Sequence, residues 1–189
     1  MFSIPTVIAW RRSIRAGNTA SHKASRLRHG WKLTPYFPQP GIEVVRPLDR
    51  AMSFDVFVQT FRNGEFHGIS RQRVRDAFGL YLTEPEPNFW QLRYDDANSC
   101  DLYLNAHDSD ASLVHGFTVN RPCGDHRLWD SLAFILTLSE VVIYFPGGRA
   151  PLVAHSGVAQ HLPPNMVEAL GQPIVVASGR EILHEIQTA

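Results

Sequence analysis

The chain has 189 residues, 44% hydrophobic and 11% aromatic, which is enough for one ordinary packed domain and excludes wholesale disorder. Formal net charge is zero, yet residues 1–51 carry nine Lys/Arg against two acids (net +7) and residues 52–189 carry nine Arg against sixteen acids (net −7). No apolar run approaches the roughly 18–20 residues that span a bilayer, so a membrane protein is not expected, and two cysteines are no disulfide framework.

Residues 1–51 read as a basic, proline-containing arm outside the core. The apolar stretch Phe2–Trp10 precedes the positive charges, the reverse of a secretory signal. Abundant Arg, Ser and Ala, with no acid before Glu43, superficially match an organelle transit peptide. Trp31, Tyr36 and Phe37 among the cations equally suit a nucleic-acid-binding arm, with rings to stack on bases. A third reading is an upstream extension of the gene model, because a strand pattern opens directly at Met52. Pro35, Pro38, Pro40 and Pro47 argue against a packed helix, and the arm is expected to be disordered.

From residue 52 onward the patterning is that of a globule. Phe54–Phe61 alternates, with Phe54, Val56 and Val58 on one face and Phe57 and Phe61 on the other, a strand covered on both sides. Asn63-Gly64 marks a turn, and Ser70 caps a short helix through Phe78 that Gly79 ends. Strands follow at Phe89–Tyr94, Cys100–Asn105 and Leu113–Asn120, with connections short enough for an antiparallel meander. Asp125 caps a helix whose stripe includes Leu128, Trp129, Leu132, Ile135 and Leu136, and which is expected to be the central core helix. The continuous apolar run Val141–Phe145 reads as an interior strand. Leu152–Ala154 is then a short strand, Ser156–Leu162 and Pro164–Leu170 short helices, and Ile174–Ala177 a last strand. Ser178-Gly179-Arg180-Glu181 forms a capping box ahead of a terminal helix. The order is not strict βαβ alternation and implies α+β: a single mixed, mostly antiparallel sheet with helices mainly on one face.

Few residues suggest chemistry. Cys123-Gly124-Asp125-His126 sets a thiol near an imidazole at a helix start, where a thiolate is favoured, but no second ligand pair completes a metal site. Cys123 and His126 are the leading catalytic candidates. A Cys/His hydrolase could also be drawn with Cys100, His107 or His115 but has no local signature, and packing for Cys123 with solvation for His126 is the simpler account. Asp95, Asp96, Asn98 and Asp101, with Asp108 and Asp110 in the next loop, read as an acidic rim at one end of the meander. They lack the spacing of a calcium loop, and Asp and Asn favour turns anyway. Their other use is to present negative charge to a basic protein partner. Arg121 is expected to anchor the core helix, with Asp125 as its partner. Pro146-Gly147-Gly148-Arg149 lacks the helix and Lys-Ser/Thr of a phosphate loop and reads as a tight turn.

Met52-Ser-Phe-Asp-Val-Phe-Val-Gln-Thr-Phe-Arg-Asn-Gly-Glu65, Phe89–Tyr94, Asn120-Arg121-Pro122, Leu162-Pro163-Pro164 and Ser178–Glu181 together resemble a group of small uncharacterised bacterial proteins that open in this way. The resemblance covers nearly all of residues 52–189 and none of the arm. Members of that group are similar in size and acidity to immunity proteins that neutralise secreted toxins. The resemblance supplies no catalytic residues. The expectation is a cytoplasmic, non-enzymatic interaction domain without cofactor, meeting a protein partner through Asp95, Asp96, Asp108 and Asp110. The alternatives are a small enzyme using Cys123 and His126, and nucleic-acid binding through the arm.

Overall fold

Strand β1 (Val56–Arg62) alternates as its sequence requires and lies inside the sheet, with β7 (Leu113–Asn120) on one side and β8 (Val141–Tyr144) on the other. These come from a computed structural model that describes residues 54–107, 109–147 and 150–188. The whole basic arm, Asp108 and the pair Gly148-Arg149 lie outside the described residues.

The remaining elements are β2 (Glu65–Phe66), β3 (Ile69–Ser70), α1 (Arg71–Phe78), β4 (Leu82–Glu86), β5 (Phe89–Arg93), β6 (Ser99–Ala106), α2 (His126–Leu136), β9 (Leu152–Val153), α3 (Pro164–Leu170), β10 (Ile174–Val175) and α4 (Gly179–Gln187). The strands form one sheet in the order β10-β9-β8-β1-β7-β6-β5-β4, with β2 paired to β1 and β3 to β7. Every pairing is antiparallel except that of β9 with β10. The protein is thus α+β, with a mixed and mostly antiparallel sheet.

The two faces are covered unequally. Val56, Val58, Trp90, Leu92, Leu102, Leu104, Phe117, Val119 and Ile143 point to the face carrying α1, α2 and α4, and form one core with Val74, Phe78, Leu132, Ile135, Ile182 and Ile186. Among the described residues, the opposite face is roofed only at one corner. There Phe61, Val142 and Val153 pack under Val158 and Leu162 around a 3₁₀ helix (Ser156–His161), and under Met166 and Val167 of α3.

Local chemistry explains the helix boundaries. Ser70, Asp125 and Ser178 each cap a helix by accepting a backbone N–H, from Arg73, Arg127 and Glu181 respectively. The Glu181 carboxylate accepts from Ala177 N at 2.7 Å, so the box closes one residue earlier than the motif implies. Gly79 ends α1 with φ +58°, a conformation that L side chains resist. Three expectations change. β4, with Pro85 and two glutamates, has too little apolar content to read as a strand and survives as an edge by pairing with β5. Ser156–His161 is a 3₁₀ helix, and Ile174–Val175 is shorter than expected.

Helix α4 leans on α2 at Gly179. A Cβ there would sit 2.5 Å from Asp130 N and from the Trp129 carbonyl carbon, both backbone atoms that cannot step aside. Gly179→Ala should therefore destabilise the fold by roughly 1–3 kcal/mol, read as a lower denaturation midpoint with an unchanged slope.

Beside the roofed corner, the Ser139 hydroxyl, a backbone N–H and the Arg62 guanidinium (3.2 Å) hold the Glu140 carboxyl down at about 2, against partial burial. Since the folded value lies below the unfolded one, this stabilisation is complete above about pH 4.5 and disappears as pH falls towards 2. Glu140→Gln should flatten the loss of stability across that acid window, measured by denaturant titration at each pH.

Candidate binding face

Among the described residues, none covers the sheet face away from α1, α2 and α4 over β1, β7, β6 and β5. Strand register aligns one row across it: Tyr144, Phe57, Thr118, Tyr103 and Phe89 are directly opposed, neighbour to neighbour, over five strands. Period-2 alternation sends all five to the same side. The rings form two pairs, Phe57 with Tyr144 (centroids 5.2 Å apart, 19° between planes) and Phe89 with Tyr103 (5.2 Å, 37°). Thr118 separates them. At about 4.8 Å per strand step the row is roughly 19 Å long. Tyr103 is 50% exposed, an unusual exposure for so large a ring within a sheet.

Polar side chains flank the row. On one side Asn120 donates to Asp55 (2.8 Å) and Gln91 to Asp101 (3.4 Å), while on the other stand Gln59 and Asn105. Neither flanking row contains Lys or Arg. Arg93, the next outward residue of β5, is paired with Asp96 at 3.3 Å. Beyond Phe89 and Tyr103 the face runs into an open depression of about 550 Å³ bounded by Glu86, Pro87 and Asn88. The face is aromatic along its middle and negative to neutral along its sides.

The acidic residues singled out from the sequence do not form one rim. Asp95 and Asp96 lie in the β5–β6 turn, and Asp110 lies in the β6–β7 loop, at the other end of β6. An eight-residue strand separates them by roughly 23 Å. The charges were grouped by nearness in sequence, which antiparallel folding does not preserve. Asp108 lies outside the described residues. Asp95 accepts from Ala97 N, Asn98 N and Asn98 Nδ2, each at 2.9 Å, and Asp110 from Ser112 N (2.8 Å) and Oγ (2.6 Å). These bonds, that from the Asn98 side chain first for Asp95 and that from the Ser112 side chain first for Asp110, keep both carboxyls below the usual range. Both residues work as turn formers.

No hydrogen bond or ion pair joins Cys123 to His126. Cys123 is buried beside Cys100, whose thiol, with the Asp125 N–H, favours the Cys123 thiolate, whereas the His126 side chain is 83% exposed with Nδ1 3.7 Å from Asp125. The Cys100 donor lowers the Cys123 pKa, and the same pairing with burial raises that of Cys100. The imidazole takes no part.

Arg121, with φ +51°, is not the anchor of α2. That role belongs to Arg127, which holds Asp125 in a fork (Nε–Oδ1 2.9 Å, Nη2–Oδ2 2.6 Å) and stacks on Tyr81 (4.8 Å) and Tyr94 (4.9 Å). Hydrogen bonding from Arg127 keeps Asp125 well ionised.

Among the described residues no group of three or more His, Cys, Asp or Glu is placed to hold a metal ion, and no helix is long and apolar enough to cross a membrane. Comparison with protein-family models, curated proteins and solved structures gives no match to this chain.

His126→Ala should leave the pH profile of Cys123 alkylation unchanged. Cys100→Ala, which removes the S–H donor, should move its midpoint upward. Mass-resolved alkylation rates against pH check both, and an upward shift caused by His126→Ala alone would restore the thiol–imidazole reading.

Proposed function

We propose that this protein is a non-enzymatic interaction domain that captures a basic protein partner on its open sheet face. One observation carries the reading: the row Tyr144, Phe57, Thr118, Tyr103 and Phe89, with carboxylates and amides and no cation in the adjacent rows. Tyr103 is exposed and Phe57, Phe89 and Tyr144 are half-buried, and aromatic rings at such sites attract guanidinium and ammonium groups at about 0.5–1 kcal/mol each. Asp55, Asp101 and Glu86 add attraction of the same sign, and the net charge of −7 on residues 52–189 steers a cationic partner from a distance. A polyanion such as single-stranded nucleic acid would stack on the rings but find no counter-charge beside them. Nucleic-acid binding remains tied to the arm, outside the described residues.

The reading shifts the contact from the acidic turns to the sheet and keeps the kind of partner. It fits a bacterial immunity-type protein, whose task is to cover a basic toxin rather than to transform a substrate. A reducing cytoplasm is the proposed location, supported by two free cysteines whose sulfurs share a hydrogen bond.

The test is calorimetric titration of the full chain with an arginine-rich peptide and with the same peptide bearing glutamate at each arginine. The arginine peptide should bind and the glutamate peptide should not. Phe89→Ser with Tyr103→Ser should weaken binding by about tenfold, the sum of two ring contacts, with little loss of stability. Equal affinity of wild type and double variant would remove the sheet face from the account.

A further inference from the structure

A second feature lies on the other side of β5, at the start of α1. A cavity of about 210 Å³ is walled by Ser70, Arg71, Gln72, Arg75, Glu84, Trp90 and Ser112. Arg71 and Arg75 are one helical turn apart, so both guanidinium groups serve the same helix face. The placement of Arg71 is electrostatically unfavourable. Like charges at this spacing repel by a few tenths of a kcal/mol. Arg71, in the first turn, also opposes the positive end of the helix dipole, whereas Arg75 lies in the last turn. The first turn of α1 also contains no acidic residue to offset either term.

Only one carboxylate in the cavity wall answers the two cations. Glu84 pairs with Arg75, and Arg71 has no ion pair among the described residues. Its guanidinium lies over the Trp90 ring at 5.2 Å, which holds the fork in place without using its N–H groups. Trp90 itself is fully buried, and its indole Nε1 has no hydrogen-bond partner. Among the described residues, Trp90 and Trp129 are the two buried indoles without a hydrogen-bond partner, and of these only Trp90 lines this cavity, where a ligand acceptor would satisfy it.

We propose that this cavity binds a small oxyanion, the carboxylate or phosphate group of a ligand, with Arg71 as its principal contact and Ser70 as a hydroxyl donor. The bound anion offsets the unpaired guanidinium. Of the first three backbone N–H groups of α1, those of Arg71 and Arg73 already donate to the Ser112 carbonyl and the Ser70 hydroxyl, which leaves that of Gln72. Arg75, already neutralised by Glu84, limits the charge the cavity accepts and favours a single oxyanion group over a polyphosphate. This site is independent of the sheet face, from which β5 separates it: Trp90 points to the covered side and Phe89 to the open one.

The full chain is titrated with inorganic phosphate and, separately, with acetate, following the side-chain N–H signals of Arg71 and Trp90 by nuclear magnetic resonance. Saturable shifts of both signals in the millimolar range are expected with at least one anion. Phosphate alone, acetate alone or both would each support the site and identify its chemistry. Arg71→Ala should weaken binding at least about tenfold, while Arg73→Ala, whose side chain is outside the cavity, should leave it unchanged. Thermal melting gives a second readout, in which the anion stabilises wild type and Arg73→Ala but not Arg71→Ala. Should Arg71→Ala fail to fold, Arg71→Gln takes its place. No saturation with either anion, or equal weakening by the substitutions at 71 and 73, overturns the site.

Discussion

Everything in this fold depends on the burial of β1 from both sides. Its edges are hydrogen bonded to β7 and β8, while Val56 and Val58 enter the main core and Phe61 the smaller one. At its centre the backbone approaches β7 so closely that a Cβ on Gly116 would meet the Val58 carbonyl oxygen at 2.1 Å. The buried Thr60 hydroxyl lies against the carbonyls of His67 and His115, linking the β1–β3 connection to the neighbouring strand. With β1 fixed in this way, the outward positions of its neighbours have no freedom of register. The aromatic row follows from that.

Much of the architecture was legible because it rests on short-range rules. The caps at Ser70, Asp125 and Ser178 are side-chain to backbone bonds across two or three residues, and the sequence spells them out. The alternation in Phe54–Phe61 and the stripe in Leu128–Leu136 announce which faces are buried. What escaped were elements held only by their neighbours. β4 carries Pro85, Glu84 and Glu86 and is a strand solely because β5 offers it a ladder, and β2 and β3 are two-residue pairings set by tertiary approach.

The candidate face was half visible. Phe89 beside Trp90 signalled that one ring must look outward, and Tyr103 between Leu102 and Leu104 carried the same message unread. Nothing local states that Tyr103 stands opposite Thr118, or Phe57 opposite Tyr144, because register is decided by long-range packing. The same gap explains the misplaced groupings. Asp95 and Asp110 are near in sequence but at opposite ends of β6, while Cys123, in the connection from β7 to α2, lies beside Cys100 of β6.

The partners of β1 carry a kinetic cost. Thr60 reaches the His115 carbonyl across 55 residues, and Arg62 reaches Glu140 across 78. The first strand of the domain must therefore wait, unpaired along one edge, until most of the chain has left the ribosome. Contacts of such separation place the protein among slowly folding topologies, with an apolar strand open to wrong neighbours in the interval. During synthesis, safe passage depends on the short helix α1 and the β4–β7 meander, which can assemble locally and shelter β1 before its last neighbour arrives.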